Sequence, residues 1–91
     1  MRTRDVYATL RELVPSLVEQ PGDIVQEWSD RADPVWRRGD RWARVEAVTS
    51  MQLLVTGGHG DQTDVRKTHV MSDPLPDLAR EVADLLNRVT E

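Results

Sequence analysis

The sequence contains no cysteine and no phenylalanine, and aromatic residues make up only 4% of its 91 positions. Without cysteine there is no disulfide, no thiolate metal ligand and no catalytic thiol. No apolar run approaches the ~20 residues that a membrane-spanning helix needs. The opening Met1-Arg2-Thr3-Arg4-Asp5 lacks the apolar stretch of a secretory signal. Lysine is nearly absent, with Lys67 alone against eleven arginines. That skew fits a GC-rich genome, such as that of an actinobacterium or one of its phages. The net charge of −4 argues against sequence-independent DNA binding, because phosphate neutralisation supplies most of that affinity.

What remains is a 38% hydrophobic, 31% charged chain. It is expected to be a small soluble, cytoplasmic protein, with residues 1–91 read as one complete domain. A chain of this size buries somewhat over ~60% of its unfolded surface, enough for one modest core.

Val6, Leu10, Leu13, Val14, Leu17 and Val18 recur at the spacing of a one-sided helix. Thr3 or Asp5 can cap it, and Pro21-Gly22 stops it. Pro15 lacks the donor for residue 11, so the helix is expected to kink there or to end near Leu13. Residues 23–29 are compatible with strand or short helix. Gly39-Asp40 reads as a hairpin tip. Residues 41–48 and 51–56 read as strands joined at Thr49-Ser50, with Ala43, Val45 and Ala47 on one face and Trp42, Arg44, Glu46 and Val48 on the other. Gly57-Gly58-His59-Gly60-Asp61 reads as a mobile tip, followed by a strand over 65–71. Leu75, Leu78, Val82, Leu85, Leu86 and Val89 mark a C-terminal helix, capped by Ser72 or Asp73 with Pro74 in its first turn. The expected architecture is α+β: an N-terminal helix, a three- to four-stranded antiparallel sheet and a C-terminal helix, in two layers with both helices on one face.

Candidate chemistry is sparse. His59 and His69, with Asp61 and Asp64, match no established ligand spacing. No serine lies in a Gly-x-Ser-x-Gly or Ser-x-x-Lys context. The glycine-rich run after Val55 opens no helix and is followed by no Gly-Lys-Ser/Thr, so phosphate cradling fails on context. Arg38-Gly39-Asp40 spells an adhesion tripeptide but is better read as a turn. No enzyme activity, cofactor or metal is expected.

The most distinctive feature is the block Trp36-Arg37-Arg38-Gly39-Asp40-Arg41-Trp42-Ala43-Arg44. Tryptophan and arginine are the residue types enriched at binding hot spots, and they can also stack on single-stranded bases. Against this, a chain without phenylalanine needs tryptophan for core bulk. Trp28 is read as core, while Trp36 and Trp42 stand between core and interface. The expected function is a non-enzymatic module that binds another protein, or a second copy of itself, through Trp36, Arg37, Arg38, Arg41, Trp42 and Arg44. Nucleic-acid binding through residues 36–44 is the first alternative. A metal-dependent hydrolase using His59, Asp61, Asp64 and His69 is the second.

Overall fold

A computed structural model describes residues 3–71 and 74–88. Its order is α1 (Thr3–Leu17), a 3-10 turn (Pro21–Asp23), β1 (Val25–Trp28), β2 (Pro34–Arg38), β3 (Arg41–Thr49), β4 (Gln52–His59), β5 (Gln62–Val70) and α2 (Leu75–Asn87). The five strands form one antiparallel meander in sequence order. The α+β architecture with an N-terminal and a C-terminal helix is as the periodicity predicts; the sheet has five strands, because residues 25–28 and 34–38 both join it. Ser72 and Asp73, offered as caps for α2, and Val89 lie outside the described residues. At that helix Pro74 occupies the N-cap position and makes no side-chain cap.

Both helices bury their apolar stripes on the same face of the sheet. Val6, Leu10 and Val14 of α1 meet Leu78, Val82 and Leu86 of α2 over Trp36, Ala43, Val45, Leu53 and Val55. Trp36 faces Ala43 across the β2–β3 ladder, so the small residue leaves room for the large one. Gly57 lets α2 approach closely: a Cβ there would stand 2.7 Å from Leu85 Cδ1.

Several local expectations need correction. Of the two outcomes expected at Pro15, an end near Leu13 is excluded: α1 runs through Pro15 to Leu17. The carbonyl of Arg11, which Pro15 leaves without its helical donor, accepts a hydrogen bond from Gln26 Nε2 at 3.2 Å instead. Gly57 and Gly58 belong to β4, and the tip is confined to Gly60-Asp61. A β-bulge follows Gly57, and a Cβ on Gly58 would lie 1.9 Å from the Gln62 carbonyl oxygen. These glycines therefore serve close backbone packing rather than looseness. Ala43 and Val45 are buried as expected, whereas Ala47 is exposed beside a second bulge between Ala47 and Thr49.

Candidate functional site

Pleating divides the Trp/Arg block. The register pairs Trp36 with Ala43 and Arg38 with Arg41 on the helix-covered face, and Arg37 with Trp42 and Val35 with Arg44 on the opposite face. Trp36 is completely buried in the core and cannot contribute to a surface. Arg38 reaches the other way, donating from Nη1 to Asn87 Oδ1 of α2 at 2.6 Å. Arg41 stands on that same side. Arg37, Arg38 and Arg41 do not form one surface with Trp42 as expected: all three lie in strands, where neighbours in sequence point to opposite faces. Of the six residues, Arg37, Trp42 and Arg44 remain together.

These three lie on the sheet face away from both helices. Across the strands, one row reads Val25, Arg37, Trp42, Gly58 and the next Glu27, Val35, Arg44, Thr56, Arg66. Trp42 is half-buried. Its Nε1 donates to the Gly60 carbonyl at 3.1 Å, which leans the ring toward the β4–β5 tip. Arg37 Nε donates to Glu27 Oε1. Arg44 Nη2 lies 3.1 Å from Glu46 Oε2 and 3.6 Å from Asp33 Oδ2. An open concavity is lined by Trp28, Val35, Arg37, Trp42 and Arg44, with Glu27, Asp30 and Asp61 at its margins.

Asp33, the buried carboxylate among the described residues, ties this face to the helix layer. The Ser29–Asp33 turn holds it in place. Ser29 Oγ accepts from the N–H groups of Arg31 and Asp33, and Ala32 takes the left-handed φ of 63° that the turn demands. From the other side Tyr7 donates its hydroxyl to Asp33 Oδ1 at 2.8 Å. Burial, reinforced by that hydrogen bond to a carboxylate, pushes the Tyr7 phenol well above its ordinary pKa. The chain Tyr7–Asp33–Arg44–Glu46 is a positioning network: it fixes the Arg44 guanidinium at the edge of the concavity.

Trp28, read as core from its sequence, is 52% exposed. It ends the short edge strand β1, where the layer of helices covers only one side of it. The Arg11 guanidinium carbon lies 3.6 Å from its ring centroid, and the Tyr7 ring stands 6.5 Å away. Alternation with Glu27, which stands on the open face, turns the Trp28 ring toward α1, so it borders the concavity only from the edge of β1.

The histidine set does not converge. His59 Nδ1 and Asp64 Oδ2 meet at 2.7 Å beside the tip. His69 pairs with Leu53 toward the other end of β5 and contacts Glu81 of α2. Seven residues separate it from Gln62, the partner of His59, or about 23 Å along a strand. Among the described residues no three His, Cys, Asp or Glu side chains come together as a metal site. His59 and His69 therefore do not belong to one site.

No protein-family model, curated protein or solved structure matches the chain.

Proposed function

We propose that the chain is a protein-binding module whose working surface is the sheet face turned away from the helices, centred on Trp42, Arg37 and Arg44. The observation that supports this reading most is the composition of that face. A half-buried tryptophan and two arginines held by carboxylates border an open concavity. Large amphipathic side chains with directed polar groups, pre-positioned by their neighbours, lose little entropy on docking. The same ion pairs weigh against nucleic acid. Arg37 and Arg44 already face Glu27, Glu46 and Asp33, so a phosphate would compete with resident carboxylates.

The test is a partner captured from the native host, with affinity measured for wild type and for Trp42→Ala combined with Arg37→Ala. Arg44 is left intact because it neutralises Asp33. The double variant is expected to keep its circular dichroism and to lose more than about 1–2 kcal/mol of binding. Unchanged affinity places the interface elsewhere. Binding to single-stranded oligonucleotides that collapses with moderate salt puts the nucleic-acid reading first.

A further inference from the structure

The concavity on the open sheet face holds more carboxylate than its arginines use. Arg37 is engaged by Glu27, and Arg44 by Glu46 and the buried Asp33. Arg31 reaches the same Glu46 from outside at 3.8 Å. Two further carboxylates border the concavity, Asp30 in the β1–β2 turn and Asp61 at the β4–β5 tip, and both are exposed. Neither has an ion pair or a side-chain hydrogen bond among the described residues. Five carboxylates thus stand against three arginines, and the excess is Asp30 and Asp61. Arg66, in the same row as Arg44, stands two strands away on β5, beyond Thr56. The Trp42 indole lines the same concavity, leaned toward Asp61 by its bond to the Gly60 carbonyl. Of the aromatic side chains, tryptophan attracts a cation most strongly to its face. The molecule makes that contact once itself, where the Arg11 guanidinium lies over Trp28. Among the described residues no cation lies over Trp42.

We infer, resting on the reading of this face as a protein-binding surface, that its occupant is a basic segment of the partner, which sets a lysine or arginine side chain against Trp42 within reach of Asp61 and Asp30. The ground is charge complementarity. An acidic segment would meet two carboxylates that no resident cation offsets. An apolar segment would cover those carboxylates without pairing them, and a desolvated, unpaired charge is costly. A basic side chain answers both features of the concavity: its charge pairs with an aspartate, and its stem or guanidinium plane packs on the indole. The resident arginines stay with Glu27, Glu46 and Asp33, so the incoming cation displaces none of them. The chain's net charge of −4 draws such a segment in from a distance.

The experiment titrates a peptide of six arginines, and separately one of six glutamates, into the nitrogen-15-labelled full chain at low salt. The readout is the indole N–H resonance of Trp42, assigned by its loss in Trp42→Phe, together with the Asp61 amide. The arginine peptide is expected to shift both resonances saturably, and the glutamate peptide to leave both in place. Asp30→Asn combined with Asp61→Asn is expected to keep the wild-type circular dichroism and to weaken binding of the arginine peptide at least about threefold. Glu12→Gln combined with Asp84→Asn removes the same charge from exposed positions on the two helices, and is expected to change that binding by less than about twofold. An unmoved Trp42 resonance overturns the inference. So does equal weakening by the two pairs of substitutions, which would mean attraction by net charge alone, or a Trp42 shift with the glutamate peptide. If any of these occurs while Trp42→Ala with Arg37→Ala still abolishes binding of the partner captured from the host, the surface stands and only its basic occupant falls. A captured partner indifferent to that double variant overturns both.

Discussion

Tyr7, which the apolar stripe of the first helix does not include, carries much of this structure. It is buried, it contributes an apolar ring to the core, and its hydroxyl donates to the buried Asp33 carboxylate, whose other oxygen faces Arg44. Tyr7→Phe keeps the ring and removes the donor, so it is expected to cost about 1–3 kcal/mol at neutral pH. The pH dependence has a definite sign. The folded-state phenol is raised, so the folded protein retains a proton that the unfolded chain releases above pH ~10. The stability associated with that proton is fully present below the unfolded value. It is lost as pH rises from there toward the folded value, at up to about 1.4 kcal/mol per pH unit. Urea midpoints for wild type should therefore fall more between about pH 9 and 11 than those of Tyr7→Phe. Equal loss in the two proteins would show that the phenol is not protected. As the only tyrosine in the chain, Tyr7 can also be titrated by its ultraviolet absorbance, which should change together with alkaline unfolding.

At the scale of elements, the instructive case is the end of α1. Proline within a helix normally ends or kinks it, for want of a donor to the carbonyl four residues back. Here a side chain of the first strand replaces that donor, and α1 and β1 are thereby stitched together through Gln26 and Arg11. Gln26→Ala is expected to cost about 0.5–1 kcal/mol in wild type. In a Pro15→Ala background, where residue 15 supplies its own N–H to Arg11, the same change should cost close to nothing. A double-mutant cycle with no coupling between positions 15 and 26 would refute the substitution of one donor for the other. The edge strand β5 shows a second device. It is nine residues long and largely exposed, and it places Arg66 and Lys67 in its middle, charges that discourage pairing with a stray strand. Lys67 also reaches Glu81 of α2 at 3.8 Å.

At the scale of the whole molecule, the described residues form two helices on one side of a five-stranded sheet, with one core shared between them. Because that core is continuous, a cavity in α2 should be felt everywhere. Leu86→Ala removes a side chain that is 1% exposed at the junction of the layers and is expected to cost about 2–5 kcal/mol. Far-ultraviolet dichroism and tryptophan fluorescence should report the loss with coincident urea transitions, since Trp36 lies in the same core. A midpoint indistinguishable from wild type would remove Leu86 from the centre of the fold. Among the described residues no helix covers the other sheet face, and the proposed binding surface is a consequence of that plan. Among the described residues no helix is long and apolar enough to cross a membrane.

The sequence by itself determined the periodic elements. The stripes at Val6–Val14 and Leu78–Leu86 repeat at the helical period, and Ala43 and Val45 alternate with Trp42 and Arg44. Short-range geometry fixes such patterns, so α+β, the helices and the opposition of Trp42 to the core face were all legible. Position in the sheet was decided only by tertiary structure. Residues 25–28 and 34–38 are too short for their period to be distinctive, yet both become strands because the growing sheet offers them partners. Which tryptophan is core depends on who stands across the ladder: Trp36 faces Ala43 beneath the helices, while Trp28 ends an edge strand and stays exposed. A run of arginines in sequence does not reveal that pleating sends Arg37 and Arg38 to opposite faces. The partners that satisfy Asp33 and the Arg11 carbonyl come from residues distant in the chain, and no local pattern encodes a hydrogen bond that forms only once the layers have closed.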